Sequence, residues 1–346
     1  MRHERTNALR TRWPIVQAPM AGGPDTPELA AAVSNAGGLG SLGCAYMTEA
    51  QIEAAAVKLR TLTSQPFALN LFVRADAPSD PSAAARVSPI LGEFRRELGL
   101  PAEPPPGPPT PQFEDQLEAV LRARPAVFSF TFGAPTREQI KALHARSIAV
   151  IGTATTVEEA VVLASLDVDA VCAQGSEAGG HRGTFLGSFE EALIGTITLV
   201  PQIAARVKVP VIAAGGIMDG RAIRAMLGLG ASAVQLGTAF MTCPEAGTSE
   251  AHRAALATAW RTVVTRAFSG RPARGVRNRF CEAFAAVEAA PFPQQQRLTR
   301  DIRAAAAAQG RADIMQLWAG QGAPLGRAMP AATLVELLVR EAGLGS

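Results

Sequence analysis

Between Ile15 and Phe240 the chain repeats one unit eight times: a short apolar run, then a longer amphipathic stretch. The runs are Ile15–Met20, Leu39–Leu42, Phe67–Val73, Ala126–Phe130, Ile148–Ile151, Ala170–Ala173, Val211–Ala214 and Ala233–Leu236. Each has the length and bounds of a buried strand, and the stretches between them read as helices. Pro27 to Asn35 is one such helix, stopping at Gly37-Gly38, and Thr48 to Leu62 another, with Glu49 in its first turn. Strands alternating with helices pair in parallel, because a parallel crossover needs a connection of helix length.

The last two runs carry a second signal. Val211-Ile-Ala-Ala-Gly-Gly-Ile217 and Ala233-Val-Gln-Leu-Gly-Thr-Ala-Phe240 end abruptly in glycine, with a helix-like stretch from Asp219 to Leu227 between them. At such strand ends bare backbone N–H groups reach a phosphate that a side chain would hold away. An open doubly wound sheet is the alternative. Eight repeats with a phosphate signal in units seven and eight favour an α/β fold of the closed TIM (β/α)8 type. Residues 1–240 form the expected barrel and 324–346 return to it as a final helix, Ala331 to Ala342, after Pro330. Residues 241–323 fall outside the repeat and read as a helical substrate or lid domain over the strand ends. Pro101 to Gln112 holds seven prolines in twelve residues and is expected as an exposed loop after strand three.

With 346 residues, 48% of them hydrophobic, the chain can bury a large core. Its net charge is +3, scattered and almost all arginine, with lysine only at 58, 141 and 208. No basic run with interleaved aromatics points to nucleic acid. The first residues lack the apolar stretch of a signal peptide, and no apolar run reaches the ~20 residues of a membrane helix. Cys44, Cys172, Cys243 and Cys281 are far apart and form no metal or disulfide pattern. The expectation is a soluble cytoplasmic protein, monomer or homodimer, acting on a small molecule without a metal.

Active sites of such barrels lie at the C-terminal strand ends. There the chain places Ala18-Pro-Met-Ala-Gly-Gly23, Asn70, Thr131, Gly133, Gln174-Gly-Ser-Glu-Ala-Gly-Gly-His-Arg-Gly183, Gly215, Gly216, Gln235, Gly237 and Thr238. Amides, glycines and one histidine suit an organic cofactor held by neutral hydrogen bonds. His181 sits in a loop of small and polar residues, where an imidazole can move protons at working pH. His3, His144 and His252 lie away from the strand ends and read as structural or solvated. Asn70 and Gln235 serve equally as satisfied core amides or ligand contacts, and Glu177 as a base or a loop brace.

Together Gln17–Gly23, Asn70, Gln174–Gly183, Ala214–Ile217 and Gln235–Thr238 resemble the nitronate monooxygenase family, formerly 2-nitropropane dioxygenases. Phe268–Gly275 and Leu317–Gly322 resemble that family's C-terminal part. The resemblance implies a TIM barrel with non-covalent FMN, oxidising alkyl nitronates of the propionate 3-nitronate type with O2. By position, Ala18, Pro19, Met20, Ala21 and Gly22 would line the flavin ring. Asn70 and Gln174 would bond the ring or ribityl chain. Gly179, Gly216 and Gln235, Leu236, Gly237 and Thr238 would hold the ribityl and phosphate, with Gly180 and Gly215 in the same cofactor set. His181 would be catalytic beside the flavin N5, positioning and neutralising the anion, while Thr131 and Arg182 would meet substrate. The chain departs from the pattern in having Thr131 where some members carry a second histidine, one tyrosine (Tyr46) and no lysine after Lys208. Arg182 or Arg274 would then supply positive charge. Rival readings are an FMN barrel using NAD(P)H, as a quinone or enoyl-acyl carrier protein reductase, a flavin- or phosphate-ligand-binding barrel without turnover, and a flavin-free lyase or isomerase.

Overall fold

The computed structural model describes residues 9–73, 80–107 and 110–345. His3 lies outside them. Eight strands run in parallel: β1 (Ile15–Gln17), β2 (Gly40–Gly43), β3 (Phe67–Phe72), β4 (Val127–Thr131), β5 (Ala149–Ala154), β6 (Ala170–Gln174), β8 (Val211–Ala214) and β9 (Ala233–Leu236). Their order is β1-β9-β8-β6-β5-β4-β3-β2. Paired bonds between Leu39 and the Ile15–Gln17 backbone, both 2.9 Å, join the two ends into a barrel. Around it lie α1 (Pro27–Asn35), α2 (Glu49–Leu62), α4 (Phe113–Ala123), α5 (Arg137–His144), α6 (Val157–Ser165), α7 (Thr196–Arg206), α8 (Gly220–Gly228) and α13 (Ala331–Ala342). Thr26, Thr48, Thr136, Thr156 and Asp219 cap five of these helices through their side chains, satisfying N–H groups that would otherwise face no acceptor.

The period of two along each strand sorts residues into two cores. Ile15, Leu69, Leu71, Phe128, Val150 and Val171 face the helices. Val16, Ala68, Val127, Ile151, Cys172, Ile212 and Ala233 fill the barrel. Two residues beyond the inner set come Asn70, Ser129, Thr153, Gln174 and Gln235. The same alternation therefore sets a polar layer on top of the apolar plug.

A third core lies off the barrel. The excursion from 241 to 323, expected to be helical, holds α9 (Glu250–Ala257), α10 (Arg279–Ala283), α11 (Gln294–Leu298) and α12 (Arg300–Ala308), but also β10 (Thr262–Thr265) and β11 (Ala273–Val276). These pair with β7 (Gly180–His181) in the order β10-β11-β7. The excursion packs Phe268, Phe280, Ile302 and Leu317 against Val87, Leu91 and Phe94 of α3 (Pro81–Glu97), which leaves the barrel after β3. Arg95 of α3 makes two bonds of 2.6 and 2.8 Å to Asp301. No helix among the described residues is long and apolar enough to cross a membrane.

Candidate active site

The C-terminal strand ends open into a cavity of about 560 Å³ roofed by the excursion. Ala18, Pro19, Met20, Ala21, Gly22, Asn70, Thr131, Gln174, Gly179, Gly180, His181, Gly215, Gly216, Gln235, Leu236, Gly237 and Thr238 all line it. Asn70 donates to Ser129 Oγ at 3.0 Å. Gln174 donates to the His181 carbonyl at 3.0 Å and accepts from Gly183 N–H at 2.8 Å, so its amide already shapes the 174–183 loop. Glu177 braces the same loop, accepting from Thr196 N–H at 2.9 Å and its hydroxyl at 2.7 Å.

Two glycines are demanded by space. A Cβ on Gly179 would lie 2.5 Å from Gly320 N, where the loop meets the excursion. Gly215 sits at φ +126°, and its Cβ would lie 2.6 Å from Thr196 Oγ1. Among the described residues the N–H groups of Gly215, Gly216, Gly237 and Thr238 make no bond to protein. Four such donors at adjacent strand ends form a ready cradle for an anion.

On the first side of the rim, Asp25 accepts from Met20 N–H and Gly43 N–H, both at 2.6 Å, and so fastens the Ala18–Gly22 loop to β2. Burial pushes its carboxyl up to about 6, against the pull of those two donors.

His181 stands on the seam between the two regions. Its strand β7 pairs with β11, Ala273 opposite His181 and Arg274 opposite Gly180. Nε2 lies 2.8 Å from Ser269 Oγ. Phe72, Phe132, Phe292 and Trp318 surround the ring with centroids 5.5 to 6.4 Å away. Burial, with Arg271 and Arg303 nearby, drives its pKa down to about 3. With nothing bound beside it, the imidazole is therefore neutral at neutral pH.

Arg182 is the clear correction. It is 1% exposed, does not line the cavity, and bonds the Gly175, Gln174 and Ala192 carbonyls at 2.5, 3.1 and 3.0 Å. Following His181 directly along an extended segment, its side chain goes to the opposite face. Arg274 is likewise buried, bonding Ser176 O at 2.8 Å and Thr262 Oγ1 at 3.1 Å.

Several lining residues escaped the sequence reading. Phe132 lies at φ +77°, a strained value for a non-glycine residue, with its ring 4.4 Å from Phe72 and under the Arg271 guanidinium at 3.8 Å. His252, read as structural or solvated, both lines the cavity and donates to Trp318 O at 3.0 Å. Burial lowers its pKa to about 4. Arg300, Arg303, Gln316 and Trp318 come from the excursion. His144 bonds Asp169 at 3.0 Å, away from the cavity.

A family model described as nitronate monooxygenase matches residues 3–341. Nitronate monooxygenase of Pseudomonas aeruginosa is 46% identical, the match covering 97% of this chain and 98% of that one. Nitroalkane oxidase from Streptomyces ansochromogenes has a TM-score of 0.92 at 42% identity, covering 98% of this chain and 97% of that one. FabK from Thermotoga maritima has a TM-score of 0.74 at 28% identity, covering 98% and 96%.

Proposed function

The chain belongs to the nitronate monooxygenase family, and on that premise we propose that it oxidises alkyl nitronates with O2 on an FMN held across the barrel mouth, with His181 beside the flavin. The observation that carries this reading is the cradle of four N–H groups without protein acceptors, opening into the cavity that His181 lines. The cavity falls within the ~300–1,000 Å³ of ordinary cofactor and ligand sites. Gly215, Gly216, Gly237 and Thr238 would hold the phosphate, with Asn70 and Gln235 on the polar layer and the Ala18–Gly22 backbone along the ring. Bound there, FMN supplies the electron acceptor for the nitronate and the means of passing electrons to O2.

The protein's own residues do the rest. A nitronate is already deprotonated at carbon, so its oxidation asks for no strong base. His181 is held through Nε2 by Ser269, and among the described residues Nδ1 has no protein partner. The neutral ring is thus a fixed hydrogen-bonding group, and a proton acceptor when the substrate is a neutral nitroalkane. Phe72, Phe132, Phe292 and Trp318 keep water from the ring's flanks.

An absorbance spectrum of the purified protein, repeated anaerobically with propionate 3-nitronate and separately with NADH, tests the reading. Flavin bands bleached by the nitronate are expected. Bleaching by NADH alone would favour the reductase reading. A colourless folded protein would overturn the FMN site.

A further inference from the structure

A nitronate would bring a negative charge into the cavity that His181 lines. Among the described residues the cavity lining holds no aspartate, glutamate or lysine, and its permanently charged side chains are Arg300 and Arg303. Arg303, half-buried on α12, donates to Gln316 Oε1 at 2.6 Å, the Gln296 carbonyl at 3.1 Å and Thr299 Oγ1 at 3.2 Å. All three partners are uncharged, and among the described residues no carboxylate lies within ion-pair distance of it. The adjacent Asp301 is taken by Arg95. Arg300 is drawn outward, to the Pro106 carbonyl at 3.2 Å. Arg271 is spent on the Arg182 and Thr184 carbonyls and does not line the cavity.

A guanidinium held rigidly at a cavity wall by neutral acceptors, lacking a counter-ion, is unfinished electrostatically. Its flat fork matches a planar group with two equivalent oxygens. It is also near enough to His181 to lower that ring's affinity for a proton. We propose that Arg303 is the residue that binds the anionic nitro group of the substrate, and so sets the preference for nitronate over neutral nitroalkane. The proposal rests on the nitronate-oxidising reading. It moves the charge-neutralising role from the β6 loop to α12, leaving His181 to orient.

The test uses the flavin-loaded enzyme with ethyl nitronate, with neutral nitroethane, and with nitrate as a planar, unreactive anion. Arg303→Gln is expected to raise KM for ethyl nitronate about tenfold or more, change that for nitroethane by less than about twofold, and leave the flavin bands intact. Arg303→Lys should recover part of the loss. Nitrate should compete with ethyl nitronate in the wild type, and its inhibition constant should rise in Arg303→Gln alongside KM. An unchanged nitronate KM overturns the proposal, as does an equal rise for both substrates, which marks general damage. If Arg303→Gln does not fold, failure of nitrate to compete in the wild type overturns it. A wild type that takes up no oxygen with any nitronate would instead break the functional reading. Nitrate titrated against the flavin spectrum would then still decide whether Arg303 holds an anion.

Discussion

The barrel and the excursion build opposite walls of one cavity from different chemistry. The barrel rim offers glycine N–H groups, the amides of Asn70, Gln174 and Gln235, and the hydroxyls of Thr131 and Thr238. The excursion offers Arg300, Arg303, Gln316, Trp318 and His252. The first set suits a cofactor gripped along its length by backbone. The second suits a small charged molecule that must be recognised and kept dry. His181 belongs to both, since it leaves the barrel after β6 but is held in register by β11. A barrel of this kind can thus keep its cofactor grip while the excursion changes the substrate.

The division breaks most severely at the cradle. Gly215→Val adds a branched side chain at φ +126° against Thr196 and closes the space before the free N–H groups. We expect the folded protein to lose flavin almost completely, read as the flavin-to-protein absorbance ratio. Flavin retained at full ratio would remove the phosphate from this end of the barrel. Next in size is His181→Ala, expected to lower kcat/KM with nitroethane about 10²-fold or more while flavin stays bound. Because the ring's pKa lies near 3, wild-type kcat/KM should show no step near pH 6.5 from this residue. A step there that vanishes in His181→Ala would show the imidazole titrating normally.

Arg95→Met tests whether the excursion depends on its own core. Removing one partner of a buried, bidentate pair costs about 3–5 kcal/mol, and here it would loosen α3 from α12. Amide exchange should quicken in α3 and residues 260–320, while the barrel strands stay protected. Equal quickening in both would show one cooperative unit, and the two-region comparison would fail.

How much of this was legible follows the same divide. Val211–Ala214, Ala233–Leu236, Pro27–Asn35 and Ala331–Ala342 have the bounds that periodicity gives them. The excursion's sheet was not legible, because β7 has two residues and finds β11 some ninety positions away. Nothing local announces such a pairing. The cavity-lining residues of the barrel rim were visible because each lies at or near a strand end. Phe132 and Arg303 were not: one depends on a strained backbone, the other on which carboxylates fold out of reach. Adjacency misled at Arg182, whose neighbour in sequence faces the other way.

The smallest expected effect concerns Asp25, the latch of the barrel rim. It is buried, and among the described residues no cation pairs with it, the converse of Arg303; its pKa rises from 3.8 to about 6. Below pH 3.8 the carboxyl is protonated folded or unfolded, and its contribution to stability is fully present. As pH rises, the unfolded chain loses the proton first, so stability declines until the folded group ionises near pH 6. The loss amounts to about 3 kcal/mol. Asp25→Asn keeps an oxygen for Met20 N–H and Gly43 N–H but does not titrate. Any cost of burying its NH2 group is the same at every pH. Denaturant unfolding of both proteins at pH 4 and pH 7 should therefore show the difference moving toward the variant by up to that amount. Parallel curves would mean that the two N–H bonds offset burial, and the rim would then hold an ionised carboxylate as readily as the opposite wall holds its arginine.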